Sequence, residues 1–306
     1  MAPTADRTPA ETPLLMAVPN VSEGRDSAVV RAVGESYVSA GARLLATHED
    51  RDHHRAVHTL AAPQGQLAAA LAAGAVAAAE MIDLQAARGI HPHVGALDVC
   101  PVVHLDETRA GAAIAEALLT AQLIGEAGLP VLLYGELAGG RTRASLRRGG
   151  TAELIRRVND GELKPDFGPR VISPSSGAVL VAARPPLVAF NLELRAPATL
   201  DDARRIAALI REGGDEGLPG VRAIGLELNA RGGVAQVSCN VEDHRGVPLA
   251  ALVAAVARHA PVDRCELIGL APRAAFDGFP ADLPVDGLAI TEDALAAAGL
   301  PSVVGD

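Results

Sequence analysis

The apolar positions of the chain fall into short runs of two kinds, some with the two-residue period of a strand and some with the period of a helix. Leu14–Val18 reads as a strand that stops at Pro19-Asn20, and Asp26 or Ser27 stands where a helix reaching about Ala42 needs its N-cap. Strands at Arg43–Thr47 and Ala56–Ala61 follow, with a polar, histidine-rich loop, His48–His54, between them. The pattern then turns helical from Pro63 to about Arg88. After the loop Gly89–Asp98 it predicts a strand at Val99–Leu105, a helix over Thr108–Gly128 and a buried strand at Val131–Tyr134. Gly139–Pro174 is Gly-, Arg- and Pro-rich, with short helical pieces near Ser145 and Leu154, and reads as a connection.

Beyond it come strands at Ala178–Ala183 and Pro186–Leu194, and a helix over Leu200–Glu212 capped by Asp201 or Asp202 and closed by Gly213-Gly214. A hairpin of Val221–Leu228 and Ala235–Val241 turns across Asn229–Gly233. A helix at Leu249–His259 and a strand at Cys265–Leu270 complete the series. From Leu14, and again from Pro186, the order is β-α-β-β-α-β, the signature of a ferredoxin-like unit. The expected class is therefore α+β, with two ferredoxin-like subdomains: a disordered head at residues 1–13, one subdomain over 14–176 and a second over 177–306. Two sheets, each covered by helices on one side, leave a ligand groove between them.

Composition narrows the function. The 306 residues are 49% hydrophobic and 21% charged, the balance of a soluble globular protein. Only 2% are aromatic, with no Trp, and the net charge is −10, so neither base stacking nor phosphate binding is supported and nucleic acid is set aside. The longest apolar run, Leu67–Ala79, is shorter than a membrane span, and the first residues do not form a secretory signal. Cys100, Cys239 and Cys265 are widely spaced in apolar runs, the pattern of buried free thiols in a reducing cytoplasm.

Candidate chemistry is concentrated in two places. Seven of the nine histidines lie between residues 48 and 104. His48, His53 and His58 read as solvated loop residues and His104 as structural. His91-Pro92-His93 lacks the companions of a metal site, so no metal is expected. His91 itself stands on a loop stiffened by Gly89, Pro92 and Gly95. An imidazole there suits general acid/base work, with Asp98 either orienting it or capping the loop. The second concentration is Gly139–Arg157, where six arginines against Glu153 give +5 on an acidic chain. It reads either as an anion site or as a solvated helix face.

Several strings together resemble the glutamate formiminotransferase family. They are Val18-Pro19-Asn20-Val21-Ser22-Glu23-Gly24-Arg25, His54-Arg55-Ala56-Val57, His91-Pro92-His93-Val94-Gly95-Ala96-Leu97-Asp98-Val99-Cys100-Pro101, Leu133-Tyr134-Gly135-Glu136, Pro165-Asp166-Phe167-Gly168-Pro169 and Ala189-Phe190-Asn191. The resemblance implies transfer of the formimino group from N-formimino-L-glutamate to N5 of tetrahydrofolate, with His91 as the catalytic acid/base. It also implies a folate-binding stretch of Gly168, Pro169, Arg170, Val171, Ile172, Ser173, Pro174, Ser175, Ser176 and Gly177. Tetrahydrofolate is then a co-substrate, no metal is required, and a cytoplasmic homodimer is expected. Asn20, Ser22, Arg55, Asp98, Arg141 and Arg143 are further candidates for substrate contacts, the arginines on charge alone.

This chain departs from the family at three positions: the family often has Arg where His93 stands, Asp where His48 stands and Trp where Ser176 closes the folate stretch. The cyclodeaminase domain of some relatives is not expected here. The alternatives are a relative acting on another folate one-carbon adduct and a folate-binding protein without turnover. Phe167 is a candidate either to pack near the pterin or to fill the core.

Overall fold

The computed structural model describes residues 12–86 and 93–301. The expected head, apart from its last two residues, and His91 lie outside the described residues.

The chain begins with β1 (Leu14–Ala17) and β2 (Asn20–Val21), one strand interrupted at Val18-Pro19. Helix α1 (Ser27–Ser39) starts where expected, because the Asp26 side chain accepts the Ala28 and Val29 N–H groups. β3 (Arg43–Asp50) and β4 (Arg55–Pro63) form a hairpin. The expected loop His48–His54 is shorter than its polarity suggested, since β3 runs through His48 to Asp50. Helix α2 (Leu67–Met81) has no side-chain cap of its own. Glu116 supplies one from α3 (Ala110–Glu126), its buried carboxylate accepting the Gly65 and Ala68 N–H groups at 2.7 Å each. α2 ends at Met81, short of the expected Arg88, and the Leu84 N–H is drawn instead to the Ser175 carbonyl at 2.9 Å.

β5 (Leu97–Val103), β6 (Val131–Leu133) and β7 (Val179–Arg184) complete the first sheet, whose order is β3-β4-β1/β2-β5-β7-β6. β1 pairs antiparallel with β4 and β5, whereas β5, β7 and β6 run parallel. Helices α1, α2 and α3 cover one face, with Val33, Leu71 and Ala117 packed on Leu15, Leu60 and Val102. The Tyr37 ring of α1 lies directly on Gly74 of α2, where any Cβ would overlap it. Between β6 and β7, α4 (Arg143–Arg147) and α5 (Gly150–Asn159) pack Leu146 and Leu154 on the other face, against Leu132 and Leu180. β7 lies beyond the expected division at residue 176, yet it belongs to the first sheet. The chain changes sheets across residues 185–187.

The second half holds β8 (Val188–Leu194), α6 (Leu200–Ile210), β9 (Val221–Leu228), β10 (Val234–Val241), α7 (Leu249–Ala257) and β11 (Val262–Ile268). The cap of α6 is a capping box between Thr199 and Asp202. A short β12 (Val285–Asp286) is added at the edge, giving the order β12-β11-β8-β10-β9. Helices α6 and α7 cover one face through Ile206, Ile210, Leu252 and Val256. A last helix, α8 (Thr291–Ala297), returns to the first sheet, where Leu295 packs with Leu14, Met16 and Val103. The architecture is α+β with two sheets, as expected. Among the described residues no helix is long and apolar enough to cross a membrane.

Candidate functional site

The strands present alternate residues to opposite faces, so the face of the first sheet away from α1–α3 carries Met16, Asn20, Val57, Thr59, Val99 and Pro101. These residues form one wall of a cleft. Ala189, Asn240 and Ile268 of the second sheet form the facing wall. Of the residues singled out by sequence, Asn20 and Arg143 line this cleft, and Asn20 leads through Arg55 to a cluster built on Asp98.

The anchor is Asp98 at the start of β5. It is fully buried, one oxygen accepting from Arg55 at 2.7 Å and from Arg147 of α4, the other accepting the Val94 N–H at 2.9 Å. Burial alone would raise its pKa. Arg147 and Arg55, helped by the Val94 N–H, overcome that and hold the carboxyl well below the usual carboxylate range. Arg55 donates in turn to Asn20 Oδ1 at 2.9 Å, and burial lowers its pKa to about 10, still fully cationic at neutral pH. Asp98 therefore caps the loop and ties it to β4 and α4. Asn20, Arg55 and Asp98, candidates for substrate contacts, are bonded to one another here, and Arg147 joins them.

Ser22 holds the same loop from the other side. Its hydroxyl donates to the Gly95 carbonyl at 2.7 Å, and its N–H to the Ala96 carbonyl at 2.9 Å. Glu23 shapes the turn that follows, accepting the Gly24, Arg25 and Asp26 N–H groups on one oxygen. Gly24 is required there because a Cβ would overlap the Arg55 backbone and the Asp50 carbonyl.

The expected folate stretch docks on this loop through its second half. Ala96 N–H donates to the Ser176 carbonyl at 2.8 Å, Ala178 N–H to the Val94 carbonyl at 2.9 Å, and Gly177 N–H to the Ser173 carbonyl at 2.8 Å. Gly177 has φ +69, and a Cβ on it would strike the Val94 carbonyl and Gly95. Ser173 and Ser175 share a hydroxyl hydrogen bond of 2.8 Å. Ile172 is buried, whereas Gly168, Pro169, Arg170, Val171, Ser173 and Pro174 are exposed and open to a ligand. The stretch thus meets the described chain on both sides of His91, at Leu84 on one side and at Val94 and Ala96 on the other.

The basic segment does not act as one. Arg141 is spent on Asp166 and on the Leu133 carbonyl at 2.9 Å, fixing the Pro165-Asp166-Phe167 turn to β6. Arg156 is exposed among Glu153, Asp160 and Glu162. Arg143 faces the cleft, its guanidinium 5.8 Å from the centre of the Tyr134 ring. Arg184, at the end of β7, faces the cleft beside it and was not anticipated. Its sequence signal is a charge closing an otherwise apolar strand.

Two histidine readings are corrected. His53 and His58 are not solvated loop residues. His53 is buried and its Nδ1 meets Asp50, while His58 is fully buried under α1, its Nε2 3.0 Å from the Val30 carbonyl and its ring edge-on to Tyr37. His48 is half-buried, with a buried Nε2 that meets no partner. His104 is buried against the Asp106 carbonyl, in keeping with a structural role. Phe167 packs into the core of the first sheet beside Gly125, and Phe190 stacks edge-on with Phe276 and Phe279 in that of the second. Of the three rings in the quoted strings, Tyr134 alone reaches the cleft's arginines. The three thiols are buried, and burial pushes Cys100 and Cys265 up to about 12.

Comparison with known proteins agrees with this geometry. A family model described as the N-terminal subdomain of the formiminotransferase domain matches residues 14–184, and one described as the formiminotransferase domain matches 189–277. The chain is 34% identical over 275 residues to a glutamate formimidoyltransferase of Thermoplasma acidophilum, covering 86% of this chain and 89% of that one. It is also 34% identical to a glutamate formimidoyltransferase of Streptococcus pyogenes serotype M1, over 73% of this chain and 76% of that one. Against the formimidoyltransferase-cyclodeaminase of Gallus gallus the identity is 36% over 282 residues, covering 86% of this chain, which spans about half (51%) of that relative. With both halves matched in order and most of the chain aligned to such relatives, the chain belongs to the formiminotransferase family.

Proposed function

We propose that this chain is a glutamate formimidoyltransferase, moving the formimino group of N-formimino-L-glutamate to N5 of tetrahydrofolate, with His91 as general acid/base. The observation that carries the reading is the docking of the folate stretch on the 93–98 loop, through the Ser176 and Val94 carbonyls. That contact supports a site in which the chain leading from His91 and the segment assigned to folate act together, and Asn20, which bonds to Arg55 beside Asp98, connects them to the cleft between the sheets.

In this reading N5 of the reduced pterin attacks the electrophilic formimino carbon. The imidazole of His91 accepts the N5 proton, and the tetrahedral intermediate collapses as that proton passes to the departing glutamate nitrogen. An imidazole serves because its pKa lies near neutrality, so it can take and return a proton in one cycle. The reaction as written needs no metal ion. Asp98, permanently ionised between two arginines, does not exchange protons and serves as a fixed strut. Holding both substrates in one cleft removes the entropy cost of bringing them together.

We read each half as a ferredoxin-like subdomain, supported by the strand orders β3-β4-β1-β5 and β11-β8-β10-β9, with β7 and β6 extending the first sheet and β12 the second. The break between them lies at residues 185–187. A cytoplasmic homodimer completes the reading, the free buried thiols supporting a reducing compartment.

The test is incubation with formiminoglutamate and tetrahydrofolate, following the absorbance of the methenyl product formed on acid treatment. Product formation is expected. Intact folate binding with no product would overturn the transferase reading in favour of a binding protein.

A further inference from the structure

The cleft between the sheets carries positive charge that its own walls do not answer. Of the side chains that line it, Arg143 and Arg184 alone are charged. Among the described residues neither forms an ion pair. Arg143 rests over the Tyr134 ring, and the Arg184 guanidinium donates from Nη1 to the neighbouring Pro185 carbonyl at 2.9 Å and lies against the Tyr134 hydroxyl. Among the described residues the buried Nε of Arg184 meets no acceptor, and the buried Tyr134 hydroxyl, which lies against the same guanidinium, meets no partner beyond it. Glu242, the acid whose field reaches Arg184, is itself engaged with Arg222 at 3.4 Å.

Burial lowers the Arg184 pKa to about 10, which leaves it charged at neutral pH. A cation held out of water without a counter-ion is costly, and an N–H left without an acceptor adds to that cost. Two guanidinium groups, with a phenol beside them, therefore face one end of the cleft with no carboxylate among the described residues to receive them. Planar guanidinium groups match the two oxygens of a carboxylate, and the ring beneath Arg143 fixes its plane. The rest of the lining, Met16, Val57, Val99, Leu187 and Ile268 among it, suits a methylene chain or an aromatic ring.

We propose that Arg143, Arg184 and the Tyr134 hydroxyl form a carboxylate subsite that grips a glutamate moiety of a substrate. The assignment rests on the proposed function in one respect: both the formimino donor and the folate tail carry glutamate carboxylates. The subsite itself requires only a dicarboxylate of that length.

The full chain, wild type and the variants Arg184→Met and Arg143→Gln, is titrated calorimetrically with glutarate, which has the carboxylates and no one-carbon group. Wild type should bind, and each variant should bind at least about tenfold more weakly. No binding to wild type, or wild-type affinity in both variants, would overturn the subsite. Melting temperature separates a structural role. Removing an unanswered buried charge should leave Arg184→Met at or above wild type; a large fall with unchanged affinity would also overturn the proposal. If Arg184→Met fails to fold, Arg143→Gln, on the half-exposed helix α4, carries the test. Turnover assigns the source. A KM raised for formiminoglutamate alone identifies the donor carboxylate. Weaker tetrahydrofolate binding with unchanged tetrahydropteroate binding, which lacks glutamate, identifies the folate tail. Glutarate affinity is independent of turnover, so an inactive wild type that still loses glutarate binding in the variants sinks the transferase reading and leaves the subsite standing.

Discussion

Each sheet carries one carboxylate that folding buries against arginine, and the two are held in opposite ways. Asp98 of the first sheet receives two guanidinium groups and a backbone N–H, and its pKa falls. Glu193 of the second sheet is nearly as buried, but its one direct partner is the partly exposed Arg231. Burial raises its pKa, which Arg231 and Arg264 only partly offset, and the neighbouring Glu266 raises it further. Beside it on β10, the fully buried Gln236 has both amide atoms without partners among the described residues. The same residue types thus give a permanent charge in one half and a reluctant one in the other. The difference lies in how many cations and N–H groups meet each acid as it leaves water. Asp98 is a strut around which the candidate site is built, whereas Glu193 is a charge the second sheet tolerates.

Removing the strut should have the largest effect. Asp98→Asn leaves Arg55 and Arg147 without their counter-ion, so urea denaturation at pH 7 should show a loss of about 3–5 kcal/mol. The sign of the pH dependence follows from the lowered pKa. The ion pairs contribute fully above the ordinary carboxylate range of about 4 and are lost as pH falls toward the native value, so the gap between variant and wild type should hold from pH 7 to 5 and close below about 4. A gap that closes between pH 7 and 5 would contradict the depressed pKa.

Next is Gly177→Ala, which forces a side chain into the Val94 carbonyl at positive φ. A cost of about 1–3 kcal/mol is expected. If residues 168–177 bind folate as proposed, tetrahydrofolate binding measured by calorimetry should weaken with it, because that stretch loses its seat on the loop.

Glu193→Gln should behave in the opposite sense. A raised native pKa means that the folded protein resists the charge, so the variant should be no less stable than wild type at pH 7, within about 1 kcal/mol. Wild type should recover the difference as pH falls through the raised pKa of Glu193. A loss of stability in Glu193→Gln comparable to that in Asp98→Asn would erase the contrast between the sheets. Smallest of all, Arg156→Ala should leave the melting temperature unchanged, since its three carboxylate partners are solvent-exposed.

Much of the fold was legible because it rests on local pattern. The period-two and helical runs located strands and helices within a few residues, and Asp26 marked the start of α1. What escaped depended on distant partners. α2 ends early because Leu84 bonds to Ser175, ninety-odd residues on. α8 returns to the first sheet through Leu295, beyond the last strand that the pattern picked out. In the site, the strings containing Asn20, Ser22, Arg55 and Asp98, and the stretch that ends at Gly177, pointed to residues that meet around the 93–98 loop. Counting charge over 139–157 could not separate Arg147, Arg141 and Arg143, because their partners, Asp98, Asp166 and Tyr134, are set by the fold. His53 and His58 looked solvated because their neighbours in sequence are polar, whereas their neighbours in space are Asp50 and the underside of α1.

The most direct test of the central claim, that the strutted loop presents His91 for proton transfer beside the folate stretch, is the turnover of His91→Ala with formiminoglutamate and saturating tetrahydrofolate. A fall of at least about 100-fold in kcat, with tetrahydrofolate affinity and melting temperature unchanged, is the predicted result. Turnover at the wild-type rate would contradict it.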